Sequence, residues 1–186
     1  SQVFSEDSLS QLAGGYIAIG HNRYSTTGSN RDCNVQPIVV GKGSNTIAVA
    51  HNGNVINAKY LQEELTGQGY TFNSSTDTEV IANLILSSPE KDWVNKIRYA
   101  MHRIQGAYSL VVLTSQGFYG VRDPFGVRPL SLGTIDGGWV IASETCAIDH
   151  IGADFLRDIE PAEIVSITVD GVESYREEVK KQGSCI

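Results

Sequence analysis

Thr46-Ile47-Ala48-Val49-Ala50-His51-Asn52-Gly53-Asn54 decides the fold. A β-prone run of small and branched apolar residues stops at a block of histidine, amide and glycine, a strand delivering polar groups to one place. Upstream, Tyr16-Ile17-Ala18-Ile19-Gly20-His21 does the same before Asn22-Arg23-Tyr24-Ser25-Thr26-Thr27-Gly28. Downstream the period changes. Leu61 and Leu65 sit four apart in a helix over 57–67 that Gly67 can stop. Val80, Ile81, Leu84 and Ile85 share one face of a helix over 77–86, with Thr76 or Asp77 as N-cap. Val94, Ile97, Met101 and Ile104 mark a third over 93–104. Strand patterns then return at 107–114, 117–122, 130–132 and 139–142, separated by Ser-Gln-Gly, Asp-Pro-Phe-Gly and Asp-Gly-Gly turns. A last pair, 163–169 and 172–175, flanks Asp170-Gly171, a hairpin signal. Strands, paired helices, then a run of antiparallel strands predict an α+β layered domain with helices covering sheet faces.

Bulk properties narrow the function. The chain has 186 residues, 41% of them hydrophobic, enough for one domain with a sizeable core. A net charge of −7 gives no electrostatic footprint for nucleic acid or anionic membrane. No run approaches the roughly 18 apolar residues of a membrane span. Ser1 to Asp7 lack the basic and apolar regions of a signal peptide. Cys33, Cys146 and Cys185 are odd in number and at no metal-ligand spacing, which supports neither a disulfide framework nor a zinc site. A cytoplasmic protein is expected.

The polar blocks offer specific chemistry, each with a plainer alternative. The Arg23 guanidinium can hold a carboxylate through two parallel bonds, with the hydroxyls of Tyr24, Thr26 and Thr27 nearby; an isolated Arg after a strand more often pairs with a structural acid. Asn52 and Gly53 together supply a side-chain amide and an approachable backbone N–H, the two donors an oxyanion needs in acyl transfer; alone, Asn-Gly is a hairpin turn. Asp77 can accept bonds from an ammonium group, and equally can serve as a first-turn acid favoured by the helix dipole, with Glu79 supporting the same turn. Arg122-Asp123-Pro124-Phe125-Gly126-Val127-Arg128 reads as a rigid turn with one internal ion pair, or as a ligand or interdomain contact. His21 and His51 close their strands as structural histidines or, less simply, as general bases. No G-x-S-x-G, phosphate loop or dinucleotide fingerprint is present.

Seven blocks in order resemble the glutaminase domain of class II glutamine amidotransferases, amidophosphoribosyltransferases most closely. They are residues 19–28, 47–54, Ser75-Thr76-Asp77-Thr78-Glu79, Gly106-Ala107-Tyr108-Ser109, 121–130, Ala142-Ser143-Glu144 and Pro161-Ala162-Glu163-Ile164-Val165. The resemblance covers nearly all 186 residues. It implies an N-terminal-nucleophile hydrolase fold, an αββα sandwich of two antiparallel sheets. Carried over residue by residue, Arg23 binds the glutamine α-carboxylate, with Tyr24 and Thr26 beside it. Asp77 binds the α-ammonium, and Asn52 and Gly53 form the oxyanion hole. In the family an N-terminal Cys attacks the side-chain amide, and ammonia passes to a phosphoribosyltransferase domain for phosphoribosylamine synthesis in purine biosynthesis.

Against that pattern, residues 1–186 read as a glutaminase domain truncated at both ends. The nucleophile and first strand region are expected to be missing, and so is the phosphoribosyltransferase domain. Cys33 and Cys146 are internal and have no free α-amine to replace that nucleophile. The fragment is expected to be inactive and to self-associate over a bared sheet edge. The alternative is a non-catalytic glutamine-binding or partner-docking module. For the whole enzyme the resemblance implies Mg and, in some relatives, an iron–sulfur cluster; the lone Cys185 cannot hold a cluster, and no cofactor is expected in these residues.

Overall fold

The computed structural model describes residues 10–11, 13–22 and 32–176. Arg23, Tyr24, Thr26 and Cys185 therefore lie outside the described residues. In chain order the elements are β1 (Ile38–Val40), β2 (Ile47–Val55), α1 (Ala58–Gly67), α2 (Asp77–Ser87), α3 (Trp93–Arg103), β3 (Gly106–Thr114) and β4 (Gly117–Arg122), followed by β5 (Ser131–Ile135), β6 (Gly138–Ala142), α4 (Thr145–His150), β7 (Asp154–Asp158), β8 (Glu163–Thr168) and β9 (Gly171–Arg176). Six strands form one antiparallel sheet in the order β1-β2-β3-β4-β8-β9, and three form a second in the order β6-β5-β7. The expected α+β sandwich of two antiparallel sheets is what the chain adopts.

Alternation along the strands divides the core in two. Ile47, Val49 and Val55 of β2, Tyr108, Leu110 and Val112 of β3, and Val121 of β4 pack with the apolar stripes of α1, α2 and α3. The opposite face presents Phe118, Val165 and Ile167 to Leu130, Leu132, Ile141 and Ile159. Gly120 lets the two sheets meet closely there: a Cβ on it would lie 2.7 Å from Ile141 Cδ1 and 2.9 Å from Ile159 Cδ1. Ile148 of α4 packs on the outer side of the second sheet, against Gly133.

Several expectations are corrected. Residues 16–21 are not a strand; Tyr16 is fully exposed and no described strand pairs with the segment. β-Prone residues extend only where a neighbour takes their backbone bonds. Asn52-Gly53 is not a turn, because β2 continues through it to Val55 in register with β3, Gly53 opposite Tyr108. The last hairpin turns at Val169-Asp170, one residue earlier than the Asp-Gly pair suggests, since Thr168 pairs with Gly171. The Asp123 turn holds no internal ion pair. Buried Asp123 accepts the N–H groups of Phe125 (2.8 Å), Val127 (3.1 Å), Tyr108 (3.3 Å) and Arg128 (3.5 Å). Arg122 donates instead to the carbonyls of Ile159, Arg128 and Gly126.

Candidate active site

Where the second sheet leaves β2 and β3 uncovered, a cleft of about 1000 Å³ opens. Ala50, Asn52 and Asn54 of β2 and Ser109 and Val111 of β3 line it on one side, and Leu130, Ile141, Ala142 and Ser143 on the other. Ser75, Thr76 and Asp77 close one end. Asn52, Gly53 and Asp77, singled out by sequence, are thus brought to one cavity.

The backbone of β2 explains why Gly53 differs from its neighbours. Ile56 N–H donates to Gln105 O (2.7 Å), so even-numbered residues here turn their N–H groups to β3 and odd-numbered ones turn away. His51 N–H is taken by Gln36 Oε1 (2.7 Å) and Val55 N–H by Asp77 Oδ2 (3.0 Å). Between them, Gly53 turns its N–H the same way, past the end of β1, whose pairing stops at Ile38 opposite Val49. No described residue accepts it. Gly53 also has φ +147°, and a Cβ there would lie 2.1 Å from Ala107 O. Only glycine fits.

Asp77 stands in the first turn of α2, where the helix dipole favours an anion. Thr76 is the cap, its hydroxyl accepting Glu79 N–H at 3.4 Å. Glu79, 2% exposed, reaches back to the N–H groups of Asn73 (2.9 Å) and Ser74 (2.6 Å). Glu79 thereby ties the preceding loop to the first turn of the helix, which bears out the supporting role expected of it. Buried Asn34 clamps the loop from the other side: its Oδ1 accepts Ser75 N–H (3.1 Å) and its Nδ2 donates to Ser75 Oγ (3.2 Å). Burial pushes the Asp77 carboxyl up, but the His51 side chain and the N–H groups of Val55 and Thr78 outweigh it and hold the carboxyl below its usual range. The Asp77 side chain is 26% exposed and anionic at neutral pH, suited to meet a cation.

Residues 21–150 match the model of the glutamine amidotransferase domain. The chain belongs to that family. An amidophosphoribosyltransferase of Synechococcus elongatus is 45% identical over 181 residues, 94% of this chain and 36% of the relative. Two solved structures are similar across 84% of the chain and 34% of their own. One is the glutamine phosphoribosylpyrophosphate amidotransferase of Bacillus subtilis complexed with ADP and GMP, at TM-score 0.77 and 40% identity. The other is described as the allosteric regulatory enzyme of purine biosynthesis, at TM-score 0.79 and 41% identity. The chain thus spans about a third of the length of these relatives. Its two sheets with flanking helices match the N-terminal-nucleophile hydrolase fold of these glutamine amidotransferases.

Within this glutamine amidotransferase domain the described residues bring together part of the expected site. Sequence reasoning missed Gln36 and Asn34, which have no motif and matter only because the segment around β1 lies beside β2 and the loop before α2. It left Arg128 as a turn residue, whereas the exposed Arg128 lines the cleft. Exposed Cys33 and Cys146 do not line it. Among the described residues no three His, Cys, Asp or Glu side chains converge as a metal ion requires. No described helix is long and apolar enough to cross a membrane.

Proposed function

We propose that this chain is the glutaminase domain of an amidophosphoribosyltransferase, which binds glutamine and releases its amide nitrogen as ammonia for phosphoribosylamine synthesis in purine biosynthesis. The observation that carries the reading is the unclaimed Gly53 N–H, held between two anchored N–H groups beside the Asn52 amide and on the same cleft as Asp77. When a nucleophile adds to the glutamine side-chain amide, its carbonyl oxygen becomes negative. Asn52 Nδ2–H and Gly53 N–H are the donors for that charge, and β2 fixes them in advance, so little reorganisation accompanies the reaction. Asp77 takes the α-ammonium at the other end of the substrate, and Arg23 takes the α-carboxylate, as the resemblance implies.

These residues supply substrate positioning and not the nucleophile. Cys33 and Cys146 are internal residues away from the cleft, without the α-amine that would act as base. The 186-residue polypeptide assayed by itself is expected not to hydrolyse glutamine.

The test is Asn52→Ala in the full-length protein, with glutamine hydrolysis followed as glutamate release. Loss of one oxyanion donor lowers kcat about a hundredfold or more and leaves KM for glutamine nearly unchanged, because the donor acts on charge present only in the transition state. An unchanged kcat would remove Asn52 from the chemistry. Glutamine binding without turnover in the wild-type full-length protein would favour the non-catalytic sensor.

A further inference from the structure

His51 belongs to β2, and its side chain lies against Asp77 and Thr78 at the start of α2. Its side chain is 2% exposed, with Nδ1 3.5 Å from Asp77 Oδ1 and 3.4 Å from Thr78 Oγ1. Nε2 is buried and has no partner among the described residues. A proton on Nε2 would be an orphaned buried donor, whereas a proton on Nδ1 has two acceptors within reach. The proton therefore belongs on Nδ1, directed at Asp77 and Thr78.

The Asp77 carboxylate is consequently approached at both oxygens, Oδ2 by the Val55 N–H at 3.0 Å and Oδ1 by the His51 ring. Two-point anchoring stops the carboxylate from turning about its Cβ–Cγ bond. Both anchors come from β2, the strand that also carries Asn52 and Gly53. One strand thereby sets the separation between the site for the ammonium and the site for the reacting carbonyl. Fixing that separation matters because a small misplacement of a bound group costs rate or affinity steeply.

We propose that His51 is a positioning residue for the ammonium-binding carboxylate of Asp77, an inference that rests on reading the cleft as a glutamine site. Its effect is specific to the α-amino end of the substrate. A molecule identical to glutamine but lacking the α-amine, 4-carbamoylbutanoate, has nothing for Asp77 to hold and does not sense His51.

The experiment compares His51→Asn and His51→Gln in the full-length protein. The Asn amide nitrogen falls near the position of Nδ1, and the Gln amide nitrogen near that of Nε2, so the first keeps a donor toward Asp77 and the second does not. His51→Gln is expected to raise KM for glutamine about tenfold, with kcat kept within about twofold, while His51→Asn keeps KM within about threefold. The inhibition constant of 4-carbamoylbutanoate should be the same in both variants and in wild type. Equal weakening toward glutamine and 4-carbamoylbutanoate would make His51 general scaffold and overturn the proposal. So would an unchanged KM in His51→Gln. Asp77→Asn is measured alongside: a wild-type KM there means that the ammonium site itself is misassigned. A raised KM there with an unaffected His51→Gln refutes only the part given to His51.

Discussion

Replacing Gly53 by alanine tests the geometry of β2 most directly. Two separate costs are legible at this residue. Its φ of +147° lies in a region that residues with a Cβ scarcely occupy, a strain of about 2 kcal/mol. The added methyl would also lie 2.1 Å from Ala107 O and 2.8 Å from Tyr108 Cα. Both atoms are backbone of the neighbouring strand and cannot swing aside as a side chain can. Spreading β2 from β3 enough to admit it adds about 2 kcal/mol on the scale of core overpacking. The sum is about 4 kcal/mol, or roughly a 10 °C fall in melting temperature for a domain of this size. Gly137→Ala is the control, since Gly137 also has positive φ (+76°) but an added Cβ meets nothing within 4 Å. Only the backbone strain applies there, about 1 kcal/mol. Thermal unfolding of the two variants followed by circular dichroism measures the difference. If Gly53→Ala costs no more than the backbone strain of about 2 kcal/mol, the strand contact at Gly53 contributes nothing and the requirement for glycine there is conformational alone.

Two further outcomes concern Asp77 and Asp123. Because the folded-state carboxyl of Asp77 is held below its ordinary range, its stabilisation is fully present above the unfolded pKa and is lost as pH falls through the folded one. Urea denaturation should therefore show Asp77→Asn less stable than wild type at pH 7, with the gap closing as the solution is acidified below the usual carboxylate range; a gap independent of pH would contradict the anchoring by His51 and Val55. Asp123→Ala leaves several backbone N–H groups without an acceptor, and a loss of about 3 kcal/mol is expected by urea denaturation; a loss under about 1 kcal/mol would mean that water replaces the carboxylate.

Most of the architecture could be read from local pattern, and the exceptions have physical causes. The three long helices show apolar residues at helical spacing with stops or caps at their ends, and their observed limits, such as Trp93–Arg103, stay close to those read. β3 and β4 alternate between two cores, so their side chains record both faces. β7 was missed because Asp154-Phe155-Leu156-Arg157-Asp158 is charged at its ends and largely exposed, an edge strand held by pairing with β5. β1 was missed because three residues are too few for a period. At the site, Asn52, Gly53 and Asp77 were legible as residue types that bind charge. That the Gly53 N–H has no acceptor among the described residues was not, because it depends on Gln36 and Asp77 taking the bonds on either side. The ion pair expected at Asp123 failed for a related reason: charges near in sequence were matched to one another, while the fold matched each to backbone groups.

That exchange at Arg122 and Asp123 has a consequence for how the surface here can change. The guanidinium gathers carbonyls and the carboxylate gathers amides, so the path of the chain from residue 122 to 128 is specified without help from the side chains between them. Phe125 and Val127 enter those bonds only through their backbone N–H groups, and their side chains, on residues each 63% exposed, hold none of them. Mutation can redraw that outward face, in size, charge or greasiness, while the loop beneath keeps its shape. Scaffold and contour are encoded by different residues, and selection can act on one without disturbing the other.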